Sequence, residues 1–548
     1  MKENNQQQEK YNQFLNRILK AKLYEPASVL IEKLTSKYDV TPANARKILS
    51  RAVLNKTIKS SDPHTFGRGQ FVYIYNEAEF GKQAVKKITE KLRPPVYRLL
   101  ELMDQNDGII SYYEGLKITA APLETSSTKA DSLNDIFKLL SDLKIVYQKK
   151  DKNDVVYIIH KIGGYEQQTA VEEKLMANHF NKMVLDCSVL PDIMRWLRKS
   201  NIIDSVAMYR SKKTPHIGMK HNNLVWDAFA YTKTTGINPT LGAFADVIEK
   251  QTMVALDVVL ADDYSPIHLD AFMARIQIDR NSVKGDKRKI LPIIIYKSCS
   301  AITLNTIRAN GIMAFDIGSI FGSKIHDVLN RVRDLSLLLQ QDEEGIEQSI
   351  ERILNTIQKT GQEEALKDLR GTLFEALMYP LLKTLYPNAE FTRGKTLSTK
   401  KDEDEKETYE YDYIINSSNP KELVFVELKG YNDKATIPLG KINSENGIPE
   451  KASLRWFFRR ALPFAGKHYD HLLVEGKQAK AVFITSANFW DDGKEFLATV
   501  NKSKLKSQRL NVGYERKELI SLLKENNLET EIKIIEKFYV KGDEVQLV

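Results

Sequence analysis

A chain of 548 residues is too long to close around one hydrophobic core, and three or four domains are expected. Lys and Arg outnumber Asp and Glu by 81 to 72, and the resulting charge of +9 permits a polyanionic partner without requiring one. Two cysteines, Cys187 and Cys299, exclude a disulfide framework and a cysteine-rich zinc site. The polar opening residues lack the apolar core of a signal peptide, and no apolar run approaches the roughly 20 residues that cross a bilayer. The expectation is a soluble, cytoplasmic, multidomain α/β protein with no membrane partner.

Residues 1–12 read as a flexible tail. Helical periodicity begins at Phe14, with Leu15, Ile18 and Leu19 on one face, and a second helix follows from Ala27 to Tyr38. Thr41 is a good N-cap, and Pro42 suits the first position of a third helix running to Leu54. That helix turns Ile48, Leu49 and Val53 inward and offers Asn44, Arg46, Lys47 and Arg51 on its other face. Lys56, Lys59 and the Gly67-Arg68-Gly69 turn lead to a strand at Phe71–Tyr75. Three short helices followed by a Gly-containing hairpin resemble a winged helix over residues 1–80. The resemblance implies that Arg46, Lys47 and Arg51 touch phosphates or bases of duplex DNA, with Arg68 on the wing. A winged helix used for protein contacts, its basic face merely solvated, is the alternative.

A second unit of similar outline spans 92–165. Pro94-Pro95 opens one helix, Ser132 starts another, and Ile145–Tyr147 with Val155–Ile159 form a hairpin. Its recognition helix would carry Asp131 and Asp135, which repel phosphate, so this second winged-helix-like unit reads as structural.

From 171 to 335, short apolar runs (Met253–Leu260, Leu291–Tyr296) alternate with helical stretches, as in a central α/β domain. Asp227 and Asp257 lie in strands where a nuclease core would hold carboxylates. Two residues after Asp257, however, stands Val259 where a lysine is wanted, so the domain reads as nuclease-like without catalysis, or as an unrelated α/β fold. His216 with His221, and His468 with His471, read as loop and surface residues and not as metal ligands. Residues 336–364 read as a helical connector.

The final domain, 365–548, carries the chemistry. Glu375 sits on an apolar helix with Leu373, Phe374, Leu377 and Met378. A lysine- and acid-rich insertion, 398–407, is expected to be mobile. Two strands follow, Tyr409–Ile415 and Leu423–Gly430. Period-two alternation points Glu427 and Lys429 to one face, and a hairpin brings Asp412 beside them. Carboxylates in strands this apolar need a partner. A shared divalent cation and Lys429 would supply it. Hard carboxylate oxygens hold Mg²⁺ with its waters, and the metal makes a water nucleophilic and offsets phosphate charge.

Glu375, Asp412 and Glu427-Leu428-Lys429 together resemble the PD-(D/E)xK, or restriction-endonuclease-like, nuclease superfamily across roughly residues 365–490. The resemblance implies a mixed sheet flanked by helices, Mg²⁺ as cofactor (with Mn²⁺ as substitute), and Asp412, Glu427 and Glu375 as metal ligands. Tyr411 stands where the family usually has proline. The helix Leu454–Arg460 would present Arg455, Arg459 and Arg460 to a phosphate backbone; a core helix with solvated arginines explains it equally well. The functional expectation is an Mg²⁺-dependent DNA endonuclease of restriction or antiviral-defence type, recognition first and cleavage last. Homodimerisation would give double-strand breaks. Two alternatives stand beside it: a DNA-binding regulator or mobile-element protein with a non-cutting nuclease fold, and an RNA or single-strand nuclease with Trp456 and Phe457 as stacking residues.

Overall fold

The computed structural model describes residues 2–67, 69–124, 132–151, 153–233, 252–282, 289–341, 344–399, 407–431, 435–444, 447–451, 453–474 and 476–540. They form a multidomain α/β protein with several separate sheets.

In the first unit, helices Lys2–Ala21, Ala27–Tyr38 and Pro42–Leu54 precede strands Ile58–Ser60 and Val72–Tyr75. Glu25–Pro26 adds a third antiparallel strand, with Val72–Tyr75 in the middle. Thr41 caps the third helix as its sequence requires, accepting from Asn44 N–H at 3.3 Å. Ala45, Ile48, Leu49 and Ala52 of that helix are buried among Leu15, Leu19, Leu30 and Leu34. The expected tail is instead the start of the first helix. Tyr11 continues the Leu15–Leu19 stripe by one more turn and meets Tyr38 edge-on at 4.9 Å between ring centroids.

The second unit holds helices Lys82–Leu92, Pro94–Gln105, Tyr112–Thr119 and Leu133–Asp142 and a three-stranded sheet. Asp135 is exposed, as expected from sequence, and also has a local task. It closes a capping box with Ser132, where an acid complements the helix N-terminus. Asp131 lies outside the described residues.

Beside two small two-stranded sheets, two five-stranded sheets dominate the rest. The central one is preceded by helices α1 (Thr169–Ser188) and α2 (Leu190–Lys199). Its strands are β1 (Met208–Tyr209), β2 (Ala228–Thr232), β3 (Thr252–Tyr264), β4 (Ile290–Cys299) and β5 (Met313–Asp316), side by side in chain order. The C-terminal sheet is preceded by α3 (Lys367–Leu377) and α4 (Tyr379–Leu385). It contains β6 (Glu390–Ser398), β7 (Thr408–Ser418), β8 (Lys421–Lys429), β9 (Gln478–Thr485) and β10 (Gly513–Tyr514), again in that order.

Residues 336–364 are more than a connector. Helix Ile325–Gln341 runs across the expected boundary at 335, and helix Ile346–Lys359 buries Ile350, Ile353, Leu354 and Ile357. These side chains share one core with Val254, Leu256 and Val258 of β3 and with Val424, Val426 and Leu428 of β8. Each such strand is apolar on both faces and lies in the interior of its sheet, which explains the near-continuous apolar runs in its sequence. The helix expected over Leu454–Arg460 is present and runs on to His468, with a π-helical turn at Phe457–Ala461 between α-helical ends. Of the insertion 398–407, residues 400–406 lie outside the described residues. No helix among the described residues is long and apolar enough to cross a membrane.

Candidate active site

Strands β7 and β8 pair antiparallel with Tyr413 opposite Val426. One step further along this register sets Asp412 against Glu427, on the same face of the sheet. Asp412 is 2% exposed, and its Oδ2 accepts from Leu428 N–H at 2.6 Å. Lys429, two residues beyond Glu427, pairs with it at 2.5 Å. Glu375 comes from the other side, on α3. Gly430 makes that approach workable: a Cβ there would lie 2.3 Å from Cβ of Phe374, so only glycine lets α3 settle onto the end of β8. Tyr413 fastens the same turn, its hydroxyl donating to the Glu375 carbonyl at 3.1 Å. The four residues read from sequence as the site are therefore brought to one place.

Two more residues, not foreseen, come from the central unit. Lys213 Nζ donates to Asp412 Oδ1 at 2.6 Å. Lys212 Nζ lies 3.1 and 3.0 Å from the two oxygens of Glu375 and 2.6 Å from the Thr372 hydroxyl. Both follow β1 in a loop that leaves the central sheet. The only sequence signal was a Lys-Lys doublet ahead of Thr214-Pro215, which looks like any solvated loop. The central unit also fixes α3, because the Asp192 carboxylate accepts from Asp368 and Leu369 N–H, both at 3.1 Å, at its first turn.

These groups line a cavity of about 1020 Å³ between the two units. Glu375, Asp412, Glu427 and Lys429 line it together with Arg210, Lys212 and Lys213 of the central unit. Burial drives all the ionisable groups toward neutrality, and their charges oppose it unequally. Asp412 stays below its usual range despite burial, held there by Lys213 and then Lys429. Glu427 is raised, by burial and then by the neighbouring Asp412 charge, against the opposing pull of Lys429. Lys213 is raised although burial lowers it, because Asp412, Glu375 and Glu427 all act on it. The Lys213 ammonium thus occupies the electrostatic centre of the three acids.

Among the described residues no group of three or more His, Cys, Asp or Glu is placed to hold a metal ion. The expected ligand set Asp412, Glu427 and Glu375 is instead distributed among Lys213, Lys429 and Lys212. The donor chemistry nevertheless fits a hard divalent cation. The acids are all carboxylates, and a cation stand-in, the Lys213 ammonium, already sits on the most buried of them. His216 and His221 take no part: His221 faces the Tyr231 hydroxyl and Asp279, and His468 and His471 are exposed.

The other nucleic-acid residues expected from sequence divide. Asn44, Arg46, Lys47 and Arg51 are all exposed on one face of their helix, and Arg68 lies outside the described residues. Arg459 is exposed, but Arg455 donates to the Gly440 carbonyl at 2.7 Å and Arg460 pairs with Glu407. The latter two are therefore tied to partners in their own unit. Phe457 is buried, so it is a core residue and not a stacking platform, while Trp456 is half-buried and lines the cavity. Comparison with models of known protein families, with curated proteins and with solved structures gives no match.

Proposed function

We propose that this chain is a Mg²⁺-dependent endonuclease that hydrolyses phosphodiester bonds of duplex DNA, with the restriction-endonuclease-like fold in its C-terminal unit and a winged helix in its first. The observation that carries the reading is the hairpin of β7 and β8. It sets a buried Asp412 against Glu427, with Lys429 two residues on, in the lining of a cavity of about 1020 Å³.

Asp412 and Glu427 are the residues that would hold the cation, with Glu375 reaching it or its water. When bound, the cation lowers the pKa of a water and offsets charge on the phosphate. The protein's own groups do the rest. Lys429 orients the attacking water and neutralises charge that grows on the phosphate oxygens. The water oxygen bonds to phosphorus, the bond from phosphorus to the sugar oxygen breaks, and a proton passes to that leaving oxygen. Lys212 and Lys213, once they exchange their carboxylate partners for phosphate, bind the scissile strand from the central unit. The exposed Asn44, Arg46, Lys47 and Arg51 provide the contacts to the duplex away from the chemistry. Defence against foreign DNA is the setting this layout suits.

The test is nicking of supercoiled plasmid with Mg²⁺ by the wild type, Glu427→Ala and Lys429→Ala. Cleavage that needs the cation and disappears in both variants upholds the reading. A wild type that cuts neither duplex, single-stranded DNA nor RNA removes it in favour of a binding protein with a non-cutting fold.

A further inference from the structure

The two five-stranded sheets match in more than strand count. In the central sheet β1–β2 and β2–β3 pair antiparallel, then β3–β4 and β4–β5 parallel. In the C-terminal sheet β6–β7 and β7–β8 pair antiparallel, then β8–β9 and β9–β10 parallel. The helices in front match as well. α1 gives way to α2 at Leu190-Pro191, and α3 to α4 at Tyr379-Pro380, with proline at the second position of the new helix in both.

Aligning these features places acid on acid. Asp186 and Glu375 each stand five residues before their proline. Ala228 faces Leu256, so the next step of that register sets Asp227 against Asp257, as Asp412 is set against Glu427. The backbone contact is shared too: Val258 N–H donates to Asp227 Oδ2 at 2.9 Å, and Leu428 N–H to Asp412 Oδ2 at 2.6 Å. Both donors follow directly after the second acid.

The differences all close the central site. Val259 stands where the C-terminal unit has Lys429. Arg210, whose N–H bonds to the Asp227 carbonyl at 2.8 Å, stands where Gly394 lies beside Asp412. Its guanidinium reaches to within 3.4 Å of Asp227 and 3.9 Å of Asp186. Arg275 pairs with Asp257 at 2.6 Å. Lys117, from the helix Tyr112–Thr119 of the second unit, inserts its ammonium 2.5 Å from Asp227 and 3.1 Å from Asp257. Three acids are thus matched by three cations, with Asp227, Asp257 and Arg275 wholly buried. The Tyr113 and Tyr264 hydroxyls donate to the remaining oxygens of Asp227 and Asp257 at 2.8 and 2.9 Å, so these two carboxylates have no oxygen left for water, phosphate or a free cation, while one oxygen of Asp186 accepts from Leu260 and Ala261 N–H at 2.7 and 2.9 Å.

From this correspondence we propose that the central unit is a second, closed copy of the catalytic unit, leaving one working centre per chain that cuts one strand of a duplex per bound chain. The strand count rests on the nuclease reading above; the closed copy does not. The strands of a duplex run antiparallel, so a centre of fixed polarity serves one of them. The closed copy has kept two tasks. Its acid cluster anchors the second unit through Lys117, and the loop after its first strand delivers Lys212 and Lys213 to the working centre.

Two measurements on the full-length chain test this. The first is Mn²⁺ uptake followed by electron paramagnetic resonance. Loss of uptake in Glu427→Ala, or no uptake by the wild type at all, upholds the closed copy. Uptake that survives in Glu427→Ala and vanishes when Asp257→Asn is added overturns it. Should Asp257→Asn fail to fold, Lys117→Met serves: an unchanged melting temperature, or new Mn²⁺ uptake in that variant without loss of stability, overturns it equally. The second uses a duplex labelled differently on its two strands, with DNA in excess of protein. One strand cut per complex by the wild type, and neither by Glu427→Ala, is expected. One strand still cut by Glu427→Ala, or both cut in a single encounter with the wild type, overturns the proposal. A wild type that cuts nothing removes the nuclease reading and the strand count with it, while the Mn²⁺ result alone decides the closed copy.

Discussion

Lys213→Met removes the cation from Asp412 and leaves the rest of the site nearly intact, since methionine keeps most of the aliphatic stem that lies against Gly394. Asp412 is 2% exposed and would retain one hydrogen bond, from Leu428, after losing the ammonium at 2.6 Å. Removing one partner of a buried ion pair costs about 3–5 kcal/mol, because the other charge stays buried. The Lys213 side chain is only 11% exposed, so solvent screening takes little from that figure. Lys429 still acts on Asp412 and pulls the expected loss to the lower end, about 3 kcal/mol. Urea unfolding in EDTA at neutral pH, followed through tryptophan fluorescence, measures it. The second arm adds Mg²⁺ or Mn²⁺. If the vacated position takes a divalent cation, saturation at a hundred times its dissociation constant restores about 2.7 kcal/mol. The wild type gains less, since its ammonium must first be displaced. A loss below about 1 kcal/mol would refute the burial argument. Full loss with no recovery on adding cation would refute Asp412 and Glu427 as a metal pair.

Further outcomes follow from the same geometry. Lys117→Met strips one of three cations from the closed acid cluster and should lower stability by about 3–5 kcal/mol, read by thermal melting, with Mg²⁺ making no difference. Gly430→Ala forces its Cβ onto Phe374 and should reduce plasmid nicking at least tenfold while the exposed Arg46 face still binds DNA. A change under twofold would show that α3 can shift without cost. Joint replacement of Arg46, Lys47 and Arg51 by alanine should weaken duplex binding on all sequences alike and flatten its salt dependence by about 0.9 log units per lost phosphate contact. Glu114 is held down at about 2, against burial, by the charge and hydrogen bond of His179 and by Ser111. Its folded pKa lies below the unfolded value, so its contribution is present above about pH 4.5 and fades as pH falls toward 2. Glu114→Gln should therefore lower stability above about pH 4.5, the difference from wild type shrinking through that acid window in urea titrations.

Local chemistry alone determined much of this protein. Thr41-Pro42 and Ser132 mark their helix starts because a capping hydroxyl and the backbone N–H that donates to it lie within four residues of chain. The strands through Asp412 and Glu427 are legible because short, near-continuous apolar runs bounded by turn residues mark strands buried on both faces. Glu427 and Lys429 share a face because strand side chains alternate with period two, and no tertiary information is needed to say so. Only the tertiary structure decided what those acids meet. Lys213 lies 199 residues before Asp412 along the chain, and Lys117 lies 110 residues before Asp227. Pairings across such separations leave no mark on local periodicity or composition. Sequence already placed Asp227 and Asp257 as the carboxylates of a nuclease-like core, with Val259 where a lysine is wanted. The match of Asp186 to Glu375, and of one register to the other, is carried by strand order, pairing and the position of a helix break, and these are fixed only by how two sheets pack on one core.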